Sequence, residues 1–124
     1  MKKIYIFLAI LLFGSSLLFS EVYVGGAIQG DQTWYKDDGP YVVISNIVIR
    51  GYAQVISDEI HYFNSSLTIE PGTIVKFNLG TNISEVKDTY YTGWLIAHGT
   101  SANPIYFTSI RDDTELPPKN WTVQ

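Results

Sequence analysis

The chain of 124 residues contains no cysteine. A disulfide framework, a thiolate metal site and a cysteine nucleophile are therefore all excluded, so stability has to come from packing. Basic residues are scarce as well: eight lysines and arginines against twelve aspartates and glutamates leave a formal charge of −4. No basic stripe exists to neutralise phosphates, which argues against a nucleic-acid partner. Catalytic signatures are missing too, since the sequence holds no G-x-S-x-G elbow, no H-E-x-x-H, no P-loop and no G-x-G-x-x-G. His61 and His98 have no supporting ligand pattern and read as solvent-facing wall residues. No cofactor is implied.

What the chain does have is aromatic and β-branched residues in short alternating runs. Aromatics make up 15% of it, nine of them tyrosines, a content suited to β surfaces that pack on themselves or on sugars. Residues 67–109 organise the rest. Leu67 and Ile69 alternate with Thr68 and Glu70, Pro71 and Gly72 force a corner, and Val75 and Phe77 then alternate with Ile74 and Lys76. Further on, Leu95 and Ala97 lead into the turn at His98, Gly99 and Thr100, and Ile105 and Phe107 resume the alternation after Asn103 and Pro104. The bend is repeated. Strands this short cannot bury a face alone, so a chain that keeps turning after each of them is expected to stack successive turns as a β-solenoid.

The amino terminus reads as an export leader. Met1, Lys2 and Lys3 are a basic start, residues 4–13 are apolar, and Gly14, Ser15 and Ser16, or Leu18, Phe19 and Ser20, offer a small residue for cleavage. This pattern predicts a signal peptide over residues 1–20 and a secreted or cell-surface destination. Membrane contact is expected only through that segment, if it stays attached.

The segment LTIEPGTIVKF, followed by GWLIAHGTSANPIYFTSIRDD, resembles the opening coils of secreted right-handed parallel β-helix repeat proteins, a broad group of bacterial and archaeal surface proteins. In that family an L-x-I-x-P-G-x-x-V-x-F coil precedes G-x-L-x-A-x-G-T-x-x-x-P-I-x-F-T-S, and both halves are present here. The resemblance implies an all-β fold, the amino-terminal portion of a right-handed parallel β-helix, with a cap and lead-in over residues 21–40 and the first coils over 41–124. In similar proteins a D-D turn is followed by a tryptophan and a G-G-I run; here Trp121 is followed by Thr122, Val123 and Gln124, so the coils are expected to continue in a longer protein. The fold hosts polysaccharide lyases, hydrolases, adhesins and structural surface proteins, so the resemblance alone names no activity.

Taken in order, Val22, Tyr23 and Val24 form a strand, Gly30 and Asp31 a turn, and Trp34 a buried structural residue over the end of the stack. Residues 35–40 read as a polar turn in which Asp37 and Asp38, being adjacent, point in opposite directions and make no coordination sphere. Residues 41–44 and 47–49 are strands joined by Ser45 and Asn46. Residues 52–56 and 60–63 depart from the family pattern. They read as an inserted strand pair or half-coil turning at Ser57, Asp58 and Glu59, with a helix over residues 55–63 as the other possibility. Residues 78–92, rich in turn formers and charges, read as a loop. Glu70 and Lys76 are expected as a solvated pair beside the Pro71 corner.

Few residues offer chemistry. Asp112 and Asp113, with Arg111, are the only carboxylates that could serve an outer-wall site or a metal, and their adjacency makes a turn the simpler reading. Tyr90, Tyr91 and Trp94 are the cluster that could bind a ligand, because flat aromatic faces stack on sugar rings; the competing role is to shield the coils beneath. Asn64, Asn82 and Asn120 match the glycosylation acceptor pattern by chance in Asn- and Ser-rich turns. These features predict a structural and binding module that touches an extracellular polysaccharide or cell-surface component, or else the non-catalytic amino-terminal part of a β-helix lyase or hydrolase.

Overall fold

Alternating short strands form wherever the sequence predicts them, and in two places where it does not. A computed structural model describes residues 20–111, so residues 1–19 of the leader, Asp112, Asp113, Asn120 and Trp121 lie outside the described residues. The strands are β1 (Val22–Ile28), β2 (Asp31–Trp34), β3 (Tyr41–Ile49), β4 (Tyr52–Ile56), β5 (Glu59–Phe63), β6 (Ser65–Ile69), β7 (Ile74–Phe77), β8 (Ile83–Glu85), β9 (Gly93–Ala97) and β10 (Tyr106–Ser109), with a 3-10 turn over Lys36–Asp38. No α-helix occurs among the described residues. The fold is all-β.

Two parallel sheets carry the structure. One runs in the order β1, β3, β7, β10, with β8 also beside β3, and the other in the order β2, β6, β9. Apart from the β4–β5 hairpin and β8, which follows β7 in the first sheet, the chain alternates between them, adding a strand to each in turn. Val22, Tyr41, Val75 and Phe107 lie side by side across the first sheet, and Trp34, Ile69 and Ala97 across the second; the β1–β3 pairing shifts register once, between Val24 opposite Val43 and Gly26 opposite Ile47. Because side chains alternate faces along a strand, this register sets the inward positions of neighbouring strands beside one another. Tyr41, Val43, Ile47, Ile49, Leu67, Ile69 and Val75 form the buried core with Ile28, Trp34 and Ile105. The expected inward stripe of Leu67, Ile69 and Val75 is therefore present, whereas Ala97, on the last strand of its sheet, is exposed.

The corners are held by side chains that bond to the backbone of a neighbouring strand's turn. Asn46 Oδ1 accepts the Asn82 N–H at 3.0 Å, Asn64 Oδ1 accepts the Thr92 N–H at 2.8 Å, and the buried Ser65 Oγ accepts the Gly30 N–H at 2.8 Å. Buried side-chain polar atoms are all satisfied among the described residues. That is what a packed interior requires.

Several expectations need correction. Residues 78–92 are not a plain loop, because β8 lies within them and pairs in parallel with the second half of β3, Ile47 opposite Ile83. Asp31 does not simply end a turn: Gly30 (φ 86°) makes the bend and Asp31 begins β2, which pairs with β6. Lys76 takes Glu21 rather than Glu70 as its partner, at 4.0 Å. The inserted strand pair, by contrast, forms as expected rather than the alternative helix: β4 and β5 are an antiparallel hairpin with Val55 opposite Ile60. Its two-residue turn places Ser57 (φ 51°) and Asp58 (φ 64°) both in the left-handed region, the backbone of a type I′ turn.

Trp34 stacks on Tyr41 with ring centroids 4.6 Å apart and planes at 8°. The Tyr41 hydroxyl accepts the Tyr35 N–H at 3.1 Å and donates to Asp38 at 3.1 Å. Burial raises the Tyr41 pKa above the usual tyrosine range, with the Asp38 carboxylate adding to the effect and the Tyr35 N–H opposing it. A folded-state pKa above the unfolded one means that this contribution to stability is intact below about pH 10 and is lost as pH rises through the folded value. Tyr41→Phe is expected to flatten the alkaline limb of a pH–stability profile while costing about 1 kcal/mol at neutral pH, because the Tyr35 N–H loses its acceptor. Urea titrations of both proteins at neutral and alkaline pH measure this; an unchanged alkaline limb would refute it.

Candidate binding surface

The structure separates the three aromatic residues that the sequence groups together. Tyr90 and Tyr91 belong to the segment between β8 and β9, and their ring partner is Tyr62 on the hairpin. Tyr90 stacks on Tyr62 at 4.7 Å and 16°, and Tyr91 meets it edge-on at 6.3 Å and 75°. A second stack, Tyr52 on Phe63 at 5.0 Å, closes the base of the hairpin. These rings pin two excursions of the chain to each other. Tyr91 is thus engaged with the hairpin, while Tyr90, 65% exposed, keeps one face toward water.

Trp94 is placed differently. It follows the buried Gly93 on β9, so alternation turns it to the outer face of the second parallel sheet, where it is 47% exposed. In register beside it lie Ser66 and then Asp31, and the Ser66 hydroxyl donates to Asp31 Oδ1 at 2.9 Å. The next outward row is Thr33, Thr68 and Ile96. With strands about 4.8 Å apart, the line from Trp94 through Ser66 to Asp31 offers a flat aromatic face followed by a hydroxyl and a carboxylate roughly 10 Å along. That sequence of groups suits an extended polyhydroxylated chain, with apolar sugar faces on the indole and hydroxyls on the polar pair.

Other features give no chemistry. A cavity of about 230 Å³ lies beside β1 and β2, lined by Val24, Ile28, Gln32 and Trp34 among others, smaller than ordinary ligand sites and without convergent acids or bases. No group of three or more His, Asp or Glu residues able to hold a metal occurs among the described residues, and no described helix is long and apolar enough to cross a membrane. His61 and His98 are both exposed, His61 on the hairpin rather than on a wall, 3.9 Å from Glu59. Asn64 carries the corner bond to Thr92, which gives its side chain a structural role.

Ser66, Asp31 and Tyr62 were the members of these clusters that sequence reasoning did not single out. Only the pairing of strands far apart in the chain brings them beside Trp94 and Tyr90. No protein-family model, curated protein or solved structure matches the chain.

Proposed function

We propose that this chain is a structural and binding module of a secreted or surface-displayed protein, the amino-terminal cap and first coils of a right-handed parallel β-helix, whose outer wall contacts polysaccharide. The observation that carries this reading is the repeated parallel register, in which each return of the chain sets the same inward positions beside those of the strand before. A stack of this kind is a rigid scaffold, and rigid scaffolds present surfaces. On that surface the row Trp94, Ser66 and Asp31 supports glycan contact better than Tyr90 and Tyr91, which are occupied with Tyr62. Binding of this type involves no covalent step.

Affinity electrophoresis through gels containing xylan, soluble cellulose derivatives or polygalacturonate tests the reading. The native chain is expected to be retarded by at least one of them. Trp94→Ala is expected to weaken that retardation by about tenfold, the ~1.4 kcal/mol within reach of a lost aromatic stack, with little change in the urea midpoint. Tyr90→Ala should leave retardation unchanged. Loss of binding in Tyr90→Ala but not in Trp94→Ala would move the site to the hairpin, and no retardation in any gel would refute glycan contact.

A further inference from the structure

The hairpin of β4 and β5 is a two-stranded sheet of its own, joined to neither parallel sheet. Such a hairpin is only marginally stable in water, and each of its outer edges presents backbone groups able to pair with another strand. It also exposes unusual amounts of aliphatic surface: Val55 is 68% exposed and Ile60 60%. These two residues are direct cross-strand neighbours on one face, whose far end is covered by the stack of Tyr90 and Tyr91 on Tyr62. Something is expected to cover the remainder.

The backbone decides which residues can pair. Ile56 and Glu59 flank the two-residue turn and so exchange hydrogen bonds, which makes Gln54 with His61 the next bonded pair. The N–H and C=O groups of Ile60 and Tyr62 therefore point away from β4, along the free edge of β5. Antiparallel self-pairing along that edge can place its dyad at Ile60, His61 or Tyr62. A dyad at Tyr62 would pair Ile60 with Asn64, which lies beyond the end of β5 at the corner before β6 and is engaged there with the Thr92 N–H. A dyad at His61 would set two imidazoles against each other.

We propose that the chain forms a two-fold dimer in which β5 pairs antiparallel with β5 of a second copy, with Ile60 facing Ile60 of that copy. This register alone sets Glu59 opposite His61 of the second copy, twice by symmetry, at the closely spaced non-hydrogen-bonded positions where side chains lie nearest. On the other face Val55, Ile60 and their two counterparts become an unbroken apolar row across four antiparallel strands. Ile60, 60% exposed in the single chain, is thereby flanked by Val55 on one side and by Ile60 of the second copy on the other, which removes part of its surface from water. Charge complementarity favours β5 over β4, whose outward-facing residues Ala53 and Val55 are flanked by Gln54 and Ile56 and carry no charge. The interface is isologous, as expected of a closed dimer.

Sedimentation of the full chain at high-micromolar concentration tests the proposal. The native chain is expected as a dimer and Ile60→Lys as a monomer, with the far-ultraviolet circular dichroism of the two alike. Glu59→Lys and His61→Glu are each expected to weaken the dimer about tenfold, since each sets like groups opposite each other twice. An equimolar mixture of those two variants should then recover dimers, because the introduced lysine of one faces the introduced glutamate of the other, while the remaining native Glu59 faces the remaining native His61. A native monomer, a dimer indifferent to Ile60→Lys, or a mixture that stays monomeric would each overturn the proposal. So would a monomeric chain that instead co-sediments with lipid vesicles, which would assign the face to a membrane.

Discussion

Gly93→Ala is expected to destabilise the chain by more than about 3 kcal/mol. Gly93 is buried at the start of β9, where its N–H donates to Val86 O at 2.8 Å. A Cβ there would collide with the Ile49 carbonyl and stand 2.7 Å from Arg50 N. Neither obstacle is a side chain that can rotate aside. Ile49 O accepts the Val86 N–H at 2.9 Å, and Arg50 N donates to Ile28 O at 3.1 Å, so moving either atom breaks the bonds that tie the end of β3 to its neighbours. Against a total stability of about 5–15 kcal/mol, such a loss leaves a much reduced or absent native population. Gly80→Ala separates the steric argument from a general sensitivity to replacing glycine. Gly80 has φ 77° but nothing within 4 Å of its added Cβ, so only the left-handed backbone penalty of about 1–2 kcal/mol applies. Urea unfolding followed by circular dichroism compares them. Equal midpoints for the two variants would refute the close approach of β9 to β3.

How much of this was legible in the sequence differs by strand. Leu67, Ile69 and Val75 were readable because three conditions coincide there: strict alternation, a Pro71 and Gly72 corner, and full burial of the inward set. β2 and β8 were not, and the cause is visible in their registers. Gln32 lies beside Leu67 at an inward position, and Glu85 lies beside Ile49, so each short strand carries a polar residue where the alternation rule needs an apolar one. Glu85 uses its carboxylate to accept the Leu95 N–H at 2.7 Å on β9, which its sheet leaves unpaired on one side. A polar residue serving an edge is indistinguishable, in sequence, from a loop residue. The true partner of Lys76 was hidden for a related reason, since Glu21 reaches it only because β1, β3 and β7 lie side by side.

The candidate site was legible in composition but not in arrangement. Tyr90, Tyr91 and Trp94 are close in the chain, and proximity suggested one platform. Strand geometry divides them: Gly93 starts β9 with its face inward, so Trp94 must face out, while the preceding segment turns its rings toward Tyr62. The segments bearing Tyr62 and Tyr90 precede β6 and β9, which are themselves neighbours, so the two excursions leave the parallel sheets at matching points. Matching excursions on adjacent strands place their aromatics in contact, a relation that appears only once the register is known.

Trp34→Ala is expected to cost about 3–5 kcal/mol, the usual loss for removing a buried tryptophan side chain. Trp34 is 4% exposed, lies in register with Ile69, and covers one face of the Tyr41 ring. It also lines the cavity of about 230 Å³ beside β1 and β2, so deleting the indole would merge its volume with space already present. Neighbours cannot collapse into a gap of that size without shifting β2, whose Trp34 carbonyl accepts the Glu70 N–H at 2.9 Å and so fixes the corner after β6. The Tyr41 hydroxyl supplies an independent readout. Its pKa is raised chiefly by burial, so admitting water where the indole stood should lower it toward the ordinary range, visible as an earlier tyrosinate absorbance step in the folded variant. Trp34→Phe keeps an aromatic face over Tyr41 and is expected to lose less stability and to shift the step less. A Trp34→Ala protein as stable as the native chain would show that the stack carries little of the packing energy. A destabilised variant with an unmoved tyrosinate step would show instead that the indole supports the corner without shielding Tyr41.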